Sequence, residues 1–288
     1  MNWKTLVKLA LSVLIVWLVV RAIDPGQLGE VLRRAHPGWL GWALAWFVAS
    51  KWIAAFRFNA LLGVREIHLP AKTNLQLYWL GMYYNLLLPG GVSGDGYKIK
   101  ILMDAFGQPF RPLFSLTLYD RLSGMLALGQ LALVLAWLLP PLQPWWPLWL
   151  AGLVLSVPVS WWLYVWLAST DRNLFWRLSV QSLLVQGAQL VCAWGLLLAL
   201  GEAAQWIGYS LIFLVSSVAA MLPLTIGGTG ARELTFLWGA KVLNLDAEKA
   251  VAAAFLFYLL STLVSLGGAW FSFTKIKGLP DKEERQPD

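Results

Sequence analysis

The charges in this sequence are bunched, and the stretches between them decide which solvent the chain can fold in. Uncharged runs extend from Thr73 to Gly94, Leu122 to Thr170, Leu178 to Gly201, Ala203 to Ala231 and Ala250 to Thr274. A helix needs about 20 such residues to cross the hydrocarbon core of a bilayer. Each run is long enough for one crossing, and Leu122 to Thr170 is long enough for two. Leu9 to Val20, between Lys8 and Arg21, is shorter but reaches full span if both cations snorkel to the headgroups. No small-x-small cleavage site follows it, so it reads as an uncleaved first span and not as a signal peptide. With 59% of residues hydrophobic and 13% charged, against about a quarter charged in soluble domains, most of the chain is expected in lipid.

Several functions are disfavoured by the same residues. Cys192 is the one cysteine, and His36 and His68 are the two histidines, too few for an internal disulfide or an ordinary zinc site. No metal and no cofactor is expected. The net charge of +7 sits in short loops between apolar runs, which suits topology signals and lipid phosphates better than nucleic acid. Tryptophans cluster at 145, 146 and 149 and at 161, 162 and 166, as at the two ends of a span in the headgroup layer. G-x-S-x-G, H-E-x-x-H and Walker patterns are missing, and the Gly-rich segments lack the βαβ setting of a dinucleotide site.

Two Gly-rich segments interrupt apolar runs in the same way. Leu88-Pro89-Gly90-Gly91-Val92-Ser93-Gly94-Asp95-Gly96 and Leu222-Pro223-Leu224-Thr225-Ile226-Gly227-Gly228-Thr229-Gly230 cannot continue a straight helix. Their paired glycines, Gly90 and Gly227, lie 137 residues apart, and adding 137 to the other span starts of the first half lands on span starts in the second. The expected fold is therefore an all-α polytopic membrane protein of two halves, 1–139 and 140–277, followed by a disordered tail, 278–288. Each half reads as span, span, broken or re-entrant hairpin, span, giving six full spans and hairpins around 73–108 and 206–245. Three full crossings per half make the second half enter from the opposite face, an inverted-topology repeat. Lys4, Lys8, Arg57, Arg65, Lys72, Lys98, Lys100, Arg111, Arg172, Arg177, Lys275 and Lys277 fall on one side. By the positive-inside rule that side, with both termini, is cytoplasmic.

Broken backbone at membrane depth survives only against protein or a wet cavity, and a matching pair of breaks points to a binding site. A Gly-rich turn that opens a helix offers free N–H groups to a phosphate. The candidate headgroup-binding residues are Asn85, Gly90, Gly91, Ser93, Asp95 and Lys98 from the first break, and Gly227, Gly228, Thr229, Arg232 and Glu233 from the second. Lys98 and Arg232 would neutralise phosphate; Asp95 and Glu233 would pair with those cations or meet a cationic headgroup. The plainer alternative is that the glycines permit close helix packing and the charges lie at the water surface. Asp120 and Arg121 read either as an ion pair lining a path or as headgroup-layer residues. Gln186 and Gln189 share a helical face with Ser182, which suits a pathway or an interhelical hydrogen-bond stripe. Asn85 would cap carbonyls freed by the first break, and Lys51 reads as snorkelling.

The segments Asn85-Leu86-Leu87-Leu88-Pro89-Gly90-Gly91 with Gly94-Asp95, Asp120-Arg121-Leu122, and Pro223 followed by Gly227-Gly228-Thr229-Gly230-Ala231-Arg232-Glu233 resemble the lysylphosphatidylglycerol synthase transmembrane-region (flippase-like) family. The likeness covers nearly the whole chain and implies a bacterial-type inner membrane protein of about eight membrane helices. Its best-known relatives move an aminoacylated phospholipid between leaflets. Here Lys98 follows the first Gly-Asp where relatives usually carry arginine, and Asp120-Arg121 stands for their Glu-Arg pair. Relatives that synthesise lysylphosphatidylglycerol continue into a soluble aminoacyl-transferase domain, whereas this chain ends at Asp288, so synthase activity is not carried over. The expectation is a phospholipid flippase with a membrane phospholipid as its ligand. The alternatives are an enzyme acting on a lipid-linked substrate, with Asp95, Asp120 or Glu233 as acid or base, and a non-catalytic lipid-binding partner. A homo-oligomer or a separate lipid-modifying enzyme are the protein partners left open.

Overall fold

Three of the described helices begin at a residue whose side chain satisfies the first free amides. Pro37 opens a 26-residue helix capped by His36, whose Nδ1 accepts from the Gly38 amide at 3.2 Å. Asp171 accepts from the Asn173 and Leu174 amides, and Asp246 from those of Glu248 and Lys249, which is the usual role of an N-cap carboxylate. The structure, a computed structural model, describes residues 25–86, 93–221, 231–274, 276 and 278–280. Its helices are α1 (Pro25–Arg34), α2 (Pro37–Leu62), α3 (Ala71–Tyr84), α4 (Ser93–Phe106), α5 (Phe110–Leu138), α6 (Trp146–Leu167), α7 (Arg172–Ala199), α8 (Trp206–Met221), α9 (Ala231–Val242), α10 (Ala247–Leu266) and α11 (Ala269–Phe273).

Among the described residues there is no strand, and five stretches are long and apolar enough to cross a bilayer: Pro37–Arg65, Phe110–Leu138, Pro140–Leu167, Arg172–Ala199 and Ala247–Phe273. The expected first span lies outside the described residues. Both expected hairpins consist of two short helices packed together, α3 on α4 and α8 on α9. Their lengths of 14, 14, 16 and 12 residues correspond to about 18–24 Å at 1.5 Å per residue, short of a roughly 30 Å hydrocarbon core. The first arm ends at Tyr84. The breaks themselves, with Gly90, Gly91, Gly227, Gly228 and Thr229, lie outside the described residues.

The two groups of helices start at offsets of 135, 135, 138 and 137 residues: α2, α3, α4 and α5 begin at 37, 71, 93 and 110, and α7, α8, α9 and α10 begin at 172, 206, 231 and 247. Packing follows the same correspondence. Helix α2 runs against α7; α5 packs on α8 and α10 on α3; α4 on α5 and α9 on α10; α2 on α3 and α7 on α8. Each of these pairings has its counterpart: the first arm of each hairpin leans on the long helix of the opposite group, and the second arm on the long helix of its own. One close approach holds the first hairpin: a Cβ on Gly94 would lie 1.8 Å from the Gly81 carbonyl oxygen, so only glycine fits there.

Two apolar cores stack along the long helices. One gathers Phe58, Leu61, Leu113, Leu116, Phe175 and Leu178. The other gathers Ala43, Phe47, Leu128, Leu135, Cys192 and Leu196. On α2, α5 and α7 the two cores occupy opposite ends and leave a middle zone between them. Many large apolar side chains instead point outward, among them Trp162, Trp166 and Trp238, each more than 60% exposed, as expected of a lipid-facing surface. The segment at 278–280 is not part of a loose tail. Leu279 packs on the first core, and Gly278 turns at φ +86° against Thr73; residues 281–288 lie outside the described residues.

Candidate functional site

The middle zone holds a cavity of about 340 Å³. Helix α2 supplies Phe47, Lys51, Ala54 and Arg57, whose spacing of four, three and three residues places them on one helical face. Helices α3 and α4 add Tyr78, Asn85, Asp95 and Lys98; α5 adds Asp120, Arg121 and Gly124. Helix α7 adds Gln186 and Gln189, α8 Ser217, α9 Arg232, and α10 Phe257, Ser261 and Ser265. Of the expected residues, Asn85, Asp95, Lys98, Arg232, Asp120, Arg121, Gln186 and Gln189 are thus brought to one wall-lined space. Ser93 is not; its hydroxyl donates to the Tyr84 carbonyl across the hairpin. Lys100 faces outward. Glu233 lies in the first turn of α9, but its side chain lies outside the described residues.

Asp120 and Arg121 are not each other's partners. On a helix, adjacent residues point about 100° apart, and the structure sends them to different elements. Arg57 Nε donates to Asp120 Oδ1 at 2.9 Å, Nη1 to the Ser182 hydroxyl at 2.9 Å, and Nη2 to the Asp120 carbonyl at 3.0 Å. Arg121 instead donates to Asp95, whose other oxygen takes the Lys98 ammonium at 2.8 Å. One carboxylate thereby serves two cations. Lys98 also stands 4.4 Å from the centre of the Phe58 ring, a cation–π arrangement.

The residues around the second break are arranged differently. Arg232 lies over the Phe257 ring at 4.6 Å, and its Nη1 donates to Ser216 and Ser217, both at 3.4 Å. Gln186 donates to the Gly124 carbonyl at 3.2 Å, so the polar stripe of α7 both stitches α7 to α5 and lines the cavity. Asn85 does not cap freed carbonyls; its Oδ1 accepts from the Gly94 amide at 2.8 Å, satisfying the opening turn of α4.

Two residues were misread from sequence. Arg57, counted among the topology cations, is only 5% exposed and holds Asp120. Lys51 does not snorkel outward; it lines the cavity with its ammonium 4.5 Å from the centre of the Phe47 ring. The signal that would have found both is their shared face with Phe47 and Ala54, opposite the exposed Trp52 and Phe56. Among the described residues no cluster of histidine, cysteine and carboxylate side chains suited to a metal ion occurs.

Comparison with known proteins adds one decisive observation. The family described as lysylphosphatidylglycerol synthase TM region matches residues 5–180 and 168–268. The chain belongs to this family. No curated protein matches it. Family membership together with the apolar helices makes it a multi-pass membrane protein of a lipid-related family.

Proposed function

We propose that the protein translocates a phospholipid between the leaflets of a bacterial-type inner membrane, with the headgroup passing through the central cavity while the acyl chains stay in lipid. The observation that carries this is the placement of seven charged side chains, Lys51, Arg57, Asp95, Lys98, Asp120, Arg121 and Arg232, around one cavity midway along the long helices. Ionisable groups at such depth are expensive and mark substrate paths. The two broken hairpins that flank the cavity support a moving part, as in transporters built from discontinuous helices. In this proposal the two groups of helices are inverted-topology halves, both termini are cytoplasmic, and rocking of one half against the other exposes the cavity to each leaflet in turn.

Acid–base catalysis is supported less well, because both described carboxylates in the cavity are engaged by cations, Asp120 by Arg57 and Asp95 by Lys98 and Arg121. The test is translocation in reconstituted vesicles carrying fluorescent or aminoacylated phospholipids. The expected result is movement of at least one lipid and its loss in Arg232→Ala. Vesicles that move no lipid of a broad panel, or an Arg232→Ala variant that behaves as the parent, overturn the proposal; new lipid products without changed sidedness establish the enzymatic reading instead.

A further inference from the structure

We infer that the headgroup taken by this cavity is a phosphate monoester carrying close to two negative charges, in preference to a phosphate diester, a zwitterion or an aminoacylated headgroup. This rests on the headgroup-binding reading above. It follows from counting and pairing the charges that line the cavity. Among the described residues, Lys51, Arg57, Lys98, Arg121 and Arg232 face Asp95 and Asp120, five cations against two carboxylates.

Pairing accounts for only part of this charge. Asp120 is taken by Arg57, and Asp95 is divided between Lys98 and Arg121. Lys51 meets the face of Phe47, and Arg232 meets the face of Phe257 and the hydroxyls of Ser216 and Ser217. The ring beside Lys51 attracts its ammonium without cancelling the charge, and the single carboxylate of Asp95 cannot neutralise both Lys98 and Arg121. Counting Glu233 against the cations as well still leaves a surplus of two. Among buried side chains, where charges are screened less than at the surface, such a surplus favours an anion of matching charge.

The candidate ligands differ in that charge. A phosphate monoester bears about −1.5 to −2 at pH 7 and offers three acceptor oxygens. A diester bears a single negative charge, and a lysine-esterified diester is net positive, adding to the surplus. At about 340 Å³ the cavity is near the lower end of ligand-pocket sizes, room for a headgroup and not for acyl chains. The same phosphate chemistry is present in a lipid monoester and in free inorganic phosphate, and the test separates them.

The experiment measures binding to the full chain in detergent, freed of native lipid, for four probes: dioctanoyl phosphatidate, dioctanoyl phosphatidylglycerol, dioctanoyl lysylphosphatidylglycerol and inorganic phosphate. Phosphatidate is expected to bind about tenfold or more tighter than phosphatidylglycerol, with the lysyl lipid weaker still. Lys51→Gln is expected to bring phosphatidate to within about threefold of phosphatidylglycerol, and Lys51→Arg to keep the preference. Phosphatidylglycerol or the lysyl lipid binding as tightly as phosphatidate overturns the charge class and leaves headgroup binding standing. Inorganic phosphate matching phosphatidate supports the phosphate class and overturns the lipid as its source. Binding of none of the four overturns both. The ranking is read on the parent chain, so it stands whether or not Lys51→Gln folds.

Discussion

Replacing Asp120 by asparagine keeps the shape of the side chain and removes the charge that holds Arg57. The two groups meet at 2.9 Å with side chains 6% and 10% exposed, which at an effective dielectric of about 20 corresponds to an attraction of roughly 6 kcal/mol before desolvation is charged against it. Breaking one partner of a buried pair costs about 3–5 kcal/mol, because the survivor is left uncompensated. Arg57 retains its bonds to the Ser182 hydroxyl and the Asp120 carbonyl, so the lower end, about 3 kcal/mol, is expected for Asp120→Asn. Arg57→Met strands the Asp120 carboxylate and costs about as much, whereas Arg57→Met combined with Asp120→Asn removes both charges of the pair and costs less than about 1.5 kcal/mol. The coupling in this double-mutant cycle is then at least about 4.5 kcal/mol. Unfolding in detergent, followed by the fluorescence of the tryptophans, measures all four corners. A coupling under about 0.5 kcal/mol, within the error of additivity, would refute the reasoning that this pair is a buried clamp.

Other perturbations test separate parts of the structure. Gly94→Ala drives a methyl into the Gly81 carbonyl at 1.8 Å and is expected to destabilise by about 1–3 kcal/mol or more, read as a lower unfolding midpoint; Gly96→Ala, where a Cβ meets nothing within 4 Å, is the matched control. Tyr84→Phe removes the 2.8 Å hydrogen bond to Ser272 that ties the first hairpin to α11 and should cost about 1 kcal/mol. Glu202 receives the Lys249 ammonium at 2.9 Å, and that hydrogen bond holds its carboxyl below the usual carboxylate range. Its folded pKa is lowered, so its contribution is present above the unfolded pKa and disappears as pH falls through the folded one. Glu202→Gln should flatten stability in that acidic window by about 0.5 kcal/mol, the scale of a partly screened pair, in melts taken across acidic pH.

How far the sequence alone reaches depends on which force sets each feature. The long helices could be read because lipid forbids unpaired charge: the run from Leu122 to Thr170 contains most of α5 and all of α6, and the turn at Pro140 divides them. The hairpins could be read because Pro89 with Gly90 and Pro223 with Gly227 are local breakers. Asp95, Lys98 and Arg232 stood out by lying beside those breaks. Lys51 and Arg57 did not, because a lone cation in an apolar helix has two uses, snorkelling and pairing, and only the neighbouring helices decide between them. The partner of Asp120 lies 63 residues away on α2; nothing within α5 distinguishes it from the adjacent Arg121.

The helix bounds repeat at 135–138 residues, but the chemistry does not repeat with them. At the 135-residue offset of α2 and α7, Lys51 and Arg57 correspond to Gln186 and Cys192; at the 137-residue offset of the paired glycines, Lys98, Asp120 and Arg121 correspond to Thr235, Phe257 and Tyr258, and the acidic Asp95 to Arg232. Every described charge in the cavity except Arg232 therefore comes from the first group of helices, while the second contributes the rings, hydroxyls and amides that face it. A symmetric pair of sites would leave two equal charged clusters; here there is one cluster and one lid-like cation seated on Phe257. Under the proposed exchange between leaflets, the anion would stay with α2, α4 and α5, and the seating of Arg232 against Phe213 and Phe257 would be the contact that changes. A single charged cluster carried by one half gives the two outward-opening states different fields at the headgroup. Transport measured from the two leaflets should then differ in apparent affinity even where the lipid is the same.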